Sequence, residues 1–207
     1  MPLSDELTLT LESNDFSCER LRVRSLTGTE RIGRLFDLQL EVVCLDHDGP
    51  SPDVMAGARV TLVIDRAPGA AVGWHGTRRI HGIAAEVRDL LATHTDLRVY
   101  RIRLVPRAFL LGLVETQLVF LNLSVPQIIE QKLASVGLAD ALEMRLVGKY
   151  PAREFVVQYK ESDLAFVSRL AEHLGISIAF EHDERGDRMI FTDHNASGYI
   201  GLCNEAG

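Results

Sequence analysis

The thirty-one residues from Tyr150 to Phe180, YPAREFVVQYKESDLAFVSRLAEHLGISIAF, change hydrophobic period from two to about 3.6 and back again. Phe155, Val157 and Tyr159 alternate with Glu154, Val156 and Gln158, which predicts a half-buried strand showing its apolar side at every second residue. Ser162 follows as an N-cap whose hydroxyl can accept an orphan backbone N–H, with Glu161 and Asp163 placing negative charge at the positive end of the helix. Val167, Leu170, Ala171 and Leu174 recur at helical spacing, and Gly175 stands where a left-handed C′ residue ends a helix. Ile176, Ile178 and Phe180 return to the two-residue period. The segment therefore predicts strand, helix, strand.

The first hundred residues predict strands almost throughout. Leu7, Leu9 and Leu11 alternate with Thr8 and Thr10; Leu38, Leu40 and Val42 with Gln39 and Glu41; Val60, Leu62 and Ile64 with Thr61, Val63 and Asp65. Residues 76–87 and 97–105 supply two more candidates. Asp46 to Asp53 and Ala67 to Ala70 carry the Asp, Gly and Pro signals of loops. Short strands at near-regular spacing with scarcely a helix between them predict an antiparallel β-barrel.

After Pro106 the texture changes to α+β. The apolar run Ala108 to Val114 is too short to span a bilayer and is expected to be buried. Ser124 and Gln127 stand at capping-box spacing with Pro126 in the first turn; Ile129, Leu133 and Val136 form one helical face, and Gly137 closes it. A last strand is expected near Met189 to Thr192. The predicted organisation is a barrel over residues 1–110 and an α+β region with two helices over 111–207, the whole an N-terminal fragment of a longer protein.

Composition narrows the functions available. A chain of 207 residues with 46% apolar and 25% charged side chains can bury a substantial core. A formal charge of -7 argues against nucleic acid as the principal partner, because a phosphate backbone is held by clustered Lys and Arg. Arg20, Arg22 and Arg24 alternate with Leu21 and Val23, as on the solvated face of a strand. The start lacks the basic and apolar regions of a secretory signal, and no apolar run is long enough to cross a membrane, so no membrane insertion is expected. Cys18, Cys44 and Cys203 lack paired spacing and read as reduced, mostly buried thiols.

Reactive chemistry is scarcely visible. His47 between Asp46 and Asp48 reads as part of a surface turn. His75 and His81 lie six apart and share a face if the strand is unbroken, yet Gly76 and Gly82 invite bends; with Asp65 they are the constellation from which a barrel enzyme could be built, although two histidines alone do not close a metal site. Asp163, Ser168 and His173 hold the letters of a hydrolytic triad, but offsets of five on one helix set Ser168 about 140° from both others. No Walker or dinucleotide glycine pattern occurs. We expect no enzyme, and no catalytic, cofactor-binding or metal residues.

The residue order from Tyr150 to Phe180 closely resembles the VgrG, or Rhs-element Vgr, family of type VI secretion spike proteins, themselves similar to the baseplate hub of contractile phage tails. Gly28 to Leu38 resembles that family's early segment, with Ile32-Gly33 replacing a Leu-Ser pair. Gly82 matches the glycine before a Gly-Ile-Val strand. Leu104 to Leu111 is similar to an Arg-Pro-x-x-x-Leu-Leu segment, with Val105 in place of the arginine, and Val119 to Ile129 fits a further block in which Gln117 or Leu118 replaces a second arginine. The likeness runs from about residue 8 to residue 195. It implies a hub of barrels with an inserted α+β region, assembled as a homotrimer and followed by a small barrel and a β-helical needle. It further implies a hexameric inner tube protein, baseplate proteins and effectors as partners, with synthesis in the cytoplasm and export through the type VI apparatus. A hub of a contractile prophage shares this logic. Either way, the isolated chain should expose an apolar patch larger than monomers usually tolerate.

Overall fold

The computed structural model describes residues 7–45, 49–66, 76–91 and 97–194. These fall into two units, one from the described residues of Met1–Thr29 and Phe36–Pro106, the other from Glu30–Leu35 and Arg107 onward.

In the first unit, period-two patterning sets the sheet. Its strands are β1 (Leu7–Glu12), β2 (Leu21–Thr29), β3 (Asp37–Cys44), β4 (Arg59–Arg66), β5 (Gly76–Leu91) and β6 (Arg98–Val105), and a single-turn helix α1 (Pro52–Met55) precedes β4. All pairings are antiparallel, in the order β1-β4-β5-β6-β3-β2. The edge strands β1 and β2 come back beside each other, so the sheet is a nearly closed barrel. Its interior takes every second residue: Leu38, Leu40, Val42 and Cys44 from β3, Val60, Leu62 and Ile64 from β4, and Tyr100, Ile102 and Leu104 from β6 are all buried. Their neighbours Glu41, Arg101 and Arg88 face outward on adjacent strands, with Arg24 closing on Glu41 at 3.1 Å. Arg22 and Arg24 are solvated, as their alternation predicts.

Closure depends on a bend in β5. This strand pairs with β4 through Gly76 to Ile83 and with β6 through Ile83 to Leu91, and a bulge between Ala84 and Glu86 falls just past the change of partner. Gly82 stands at the same corner. A Cβ there would lie 2.3 Å from the Val105 carbonyl oxygen and 3.1 Å from Leu104 Cδ1, so only glycine allows β6 to approach this closely. Gly82→Ala is expected to destabilise the chain by about 1–3 kcal/mol, read as a lower midpoint in urea unfolding at constant slope. An unchanged midpoint would show that the corner has slack.

The loop expected from Asp46 to Asp53 contains more order than its composition predicts. Asp46, His47 and Asp48 lie outside the described residues, but Pro52 to Met55 form α1, with Met55 fully buried. The turn docks on β5 through Gly57 N–H to the Ala84 carbonyl (2.8 Å) and Ala84 N–H to the Ala58 carbonyl (3.0 Å). Cys44 is buried and Cys18 half-buried, both as free thiols; burial pushes the Cys18 thiol up to about 11. Cys203 lies outside the described residues.

The second unit opens with a 3-10 turn (Arg107–Gly112), followed by β7 (Glu115–Leu123), α2 (Val125–Ser135), β8 (Leu142–Arg145), β9 (Arg153–Ser162), α3 (Asp163–His173), β10 (Ser177–Asp183) and β11 (Gly186–Thr192). β10, β11 and β8 form a sheet in which β8 runs parallel to β11, while β7 and β9 form a separate antiparallel ribbon. Both long helices carry the ends their sequences announce. Ser124 accepts from Gln127 N–H while the Gln127 side chain returns to Ser124 N–H, and Ser162 accepts from Ala165 N–H at 3.2 Å. Gly137 and Gly175 adopt φ of 74° and 68°, each at C′ of a Schellman motif: Leu138 N–H reaches Leu133 O and Ile176 N–H reaches Ala171 O, both at 2.9 Å.

Ile129 and Leu133 of α2 and Val167, Leu170 and Ala171 of α3 meet in one core, where Phe166 stacks on Phe120 of β7 with ring centroids 5.5 Å apart. Two strands were not expected here, and two expectations need correction. β7 and β8 carry no period-two signal of their own; Leu118 to Leu121 is apolar on both faces. The run Ala108 to Val114 is only half buried, since Ala108 and Leu111 enter the core while Leu113 is 63% exposed. The other correction concerns β9.

Candidate functional site

β9 is inverted relative to its hydrophobic pattern. Val156 and Gln158 point into the core at 8% and 1% exposure, whereas Phe155, Val157 and Tyr159 face outward and are between 44% and 62% exposed. A strand's face is set by register, and a one-residue choice moves every side chain to the other side. What fixes the choice is a polar knot beneath the ribbon. Lys132 Nζ from α2 donates to Asp163 Oδ1 (2.8 Å) at the start of α3 and to Thr116 Oγ1 of β7 (2.9 Å), and Gln158 Nε2 of β9 donates to the same Asp163 oxygen (2.8 Å). Thr116 also donates to Asp163, at 2.8 Å. The ammonium lies over the rings of Phe120 and Phe166 at 5.6 and 5.9 Å. Burial alone would raise the Asp163 carboxyl, but hydrogen bonds from Lys132, Gln158 and Thr116 overcome it and hold the group below its ordinary value. Gln158 must face inward to join this knot, so its neighbours in β9 must face out.

The outer face of the ribbon is therefore apolar and open. Val119 pairs across the ladder with Val157, and Leu121 with Phe155; Val119 and Leu121 are 61% and 64% exposed. β9 carries one extra residue at its far end, where Lys160 adopts φ 48° and its ammonium sits 5.3 Å from the Tyr159 ring centre.

Elsewhere the unit is stitched by charge. Arg145 and Arg188 interleave with Glu143, Glu181 and Asp183 across the three-stranded sheet. Asp193, just beyond β11, accepts from the backbone N–H groups of Val147 and Gly148 and from the Tyr150 hydroxyl. Chiefly through the Val147 N–H, and then Tyr150 and Gly148, its carboxyl is held down at about 2. A depressed folded value contributes stability above the unfolded value of a carboxylic acid and loses it as pH falls toward 2. Thermal unfolding should therefore show a steeper loss of Tm between about pH 4 and pH 2 in the wild-type chain than in Asp193→Asn. Parallel curves would remove Asp193 from the acid response.

Among the described residues, the candidate reactive groups do not converge. His75 lies outside the described residues. His81 Nδ1 lies 2.8 Å from Thr61 Oγ1, and Asp65 accepts from Thr77 at 2.5 Å. The register aligns His81 with Thr61 and Asp65 with Thr77, which places the two groups four residues apart along the sheet, about 13 Å. On α3, Asp163 is committed to the buried knot, His173 is exposed, and Ser168 turns toward a groove of about 380 Å3 with Leu164, Glu172 and Met189 in its wall. Among the described residues no group of three or more His, Cys, Asp or Glu could hold a metal ion, and no helix is long and apolar enough to cross a membrane. The features that stand out are an open apolar ribbon on one unit and a nearly closed barrel in the other.

This combination has relatives. The phage tail baseplate hub (GPD) family matches residues 29–203. The chain belongs to the phage tail baseplate hub family. The type VI secretion system spike protein VgrG1c of Pseudomonas aeruginosa is 33% identical over 190 residues, which is 89% of this chain and 25% of that protein. The hub fold is also that of the E. coli c3393 protein, a component of the type VI secretion system with structural similarity to the T4 bacteriophage tail proteins gp27 and gp5. That structure matches with a TM-score of 0.72 at 26% identity, over 94% of this chain and 48% of the other. The 43 kDa tail protein of prophage MuSo2 from Shewanella oneidensis shares the fold alone, with a TM-score of 0.61 at 13% identity over 90% of this chain and 53% of that one. The chain spans about a quarter of the length of the curated spike proteins it matches.

Proposed function

We propose that this chain is the N-terminal hub region of a type VI secretion spike: a structural piece that assembles with copies of itself as a trimer and docks on the hexameric inner tube. In this role it contacts baseplate proteins and helps carry effectors into target cells. The observation that carries this reading is the one-third identity to a spike protein across nearly the whole chain, combined with a barrel of the hub type. The work is mechanical. Among the described residues, the separation of His81 from Asp65 along the sheet and the commitment of Asp163 to the buried knot support this reading. The protein is made in the cytoplasm and leaves through the apparatus.

Deleting the gene in a strain with an active secretion system should abolish release of the inner tube protein into the medium, and re-expression should restore it. Undiminished release would overturn the reading. Stoichiometric zinc or iron in the purified chain would overturn its non-enzymatic part. The family's description as a phage baseplate hub and the prophage tail fold support a second reading, a hub of a contractile prophage particle. Sheath and ATPase genes beside this one favour the spike; capsid genes favour the phage.

A further inference from the structure

We propose that the outer wall of the barrel carries a docking site for an acidic segment of a partner protein, in a shallow depression over β5 and β6. The inference rests on the assembling role above only for the existence of a partner, and adds a surface and the chemistry it selects. Alternation puts Arg101 and Arg103 of β6 on the side opposite Tyr100, Ile102 and Leu104, which fill the barrel. The register then lays two rows across three strands: Gln39, Arg103 and Glu86 in one, Glu41, Arg101 and Arg88 in the next. Rows two residues apart are separated by about 7 Å and neighbouring strands by about 5 Å, within reach of long side chains. Gln39, Glu86, Arg88, Arg101 and Arg103 line a depression of about 200 Å3 there.

The carboxylates around this depression are already engaged. Asp37 accepts from Arg103 Nη2 at 2.7 Å and from its Nε at 3.0 Å, Glu86 is bound to Arg88, and Glu41 lies 3.1 Å from Arg24. Arg101 is exposed and, among the described residues, takes no carboxylate of its own. Its cross-strand neighbour on one side is Arg88, a like-charged pair directly opposite on one face, which costs a sheet stability unless an anion lies between the two. Three guanidiniums against the one carboxylate of Glu86 leave an excess of two positive charges in the lining, on a chain whose net charge is -7. A local excess on an acidic molecule selects a short anionic segment. One or two Asp or Glu side chains suit the forked donors, whereas the long phosphate run of a nucleic acid meets the repulsion of the whole chain. Glu86 weighs against a phosphate dianion more than against a single carboxylate, since repulsion scales with charge.

Titrating an acetylated hexaglutamate peptide into the isotope-labelled chain, followed by nuclear magnetic resonance, tests this at low salt without any tube or baseplate protein. The Nε–H signals of Arg88 and Arg101 should shift along one saturating curve, and the shifts should fade as sodium chloride rises from about 50 to about 300 mM. Arg101→Gln should weaken binding about three- to tenfold and Arg101→Glu should abolish it, with a thermal midpoint equal to or above that of the parent chain, because relieving a like-charge contact takes nothing from the fold. Arg59→Gln removes the same charge from an exposed position on β4 and should leave the affinity unchanged. Binding that is absent, that ignores Arg101→Gln or that falls equally in Arg59→Gln overturns the proposal. So does a lower thermal midpoint for Arg101→Gln, which makes the side chain structural. Displacement of the peptide by an equal concentration of inorganic phosphate, or tighter binding of a short DNA duplex, overturns it as well, since the depression then serves small anions or nucleic acid. Because secretion plays no part in the readout, loss of the proposed function and loss of this site are separable.

Discussion

Replacing Lys132 with methionine should lower the unfolding free energy by about 3–5 kcal/mol in guanidinium chloride titrations, because it leaves the Asp163 carboxylate buried without its cation. Both side chains of the pair are 4% exposed, and the ammonium is in contact with α3, β7 and two aromatic rings at once. Methionine keeps the volume and the contact with Phe120 and Phe166, so the loss reports charge and hydrogen bonding more than packing. The double variant Lys132→Met/Asp163→Leu should recover a large part of the deficit, since two apolar side chains need no partner; the cycle then gives the coupling directly. A single-variant loss below about 1 kcal/mol would mean that water reaches the carboxylate and that the knot does not decide the orientation of β9. If the knot does decide it, Lys132→Met should also broaden the amide signals of β9, a readout that global stability alone does not move.

The second large effect is expected at Asp187. Its Oδ1 accepts from Arg107 Nε at 2.6 Å and its Oδ2 from the Arg107 backbone N–H at 2.8 Å, while Arg107 Nη2 donates to the Asp187 carbonyl at 2.8 Å. Both side chains are nearly buried, at 7% and 3% exposure. Asp187→Ala strands a guanidinium and a backbone N–H together, and about 3–5 kcal/mol should be lost. Asp187→Asn, which keeps an acceptor for the backbone N–H, should lose less. Asp140 also reaches Arg107, at 3.4 Å, but is 68% exposed, so Asp140→Ala should change stability by no more than about 1 kcal/mol. Equal losses from Asp187→Ala and Asp140→Ala would show that the two carboxylates share the guanidinium on equal terms.

Much of the fold was legible residue by residue. Leu38, Leu40 and Val42 alternate and are buried together; Ser124 with Gln127, and Ser162 alone, cap the helices their letters announce; Gly137 and Gly175 end them in the left-handed backbone that glycine permits. Each of these is a short-range interaction, complete within four or five residues of chain. The hub likeness was legible separately, as a resemblance of residue order in segments such as Tyr150 to Phe180 and Val119 to Ile129.

What went unread was non-local. β7 and β8 have no periodicity of their own and become strands by pairing with β9 and β11. Asp163 stands in the first turn of α3 as its sequence predicts, but that position did not show that it is also the acceptor for three side chains from three other elements.

The candidate surface was the hardest feature to see, because the pattern of β9 states that one face is apolar without stating which face the core will take. Alternation and capping by themselves determined a barrel-forming run of strands and two capped helices, while the likeness to a baseplate hub rested on residue order in particular segments. The tertiary structure alone decided that Gln158 turns inward to a buried ion pair and Phe155, Val157 and Tyr159 turn out, because a buried charge must find its partners wherever the chain brings them, and apolar side chains then go to the side that remains.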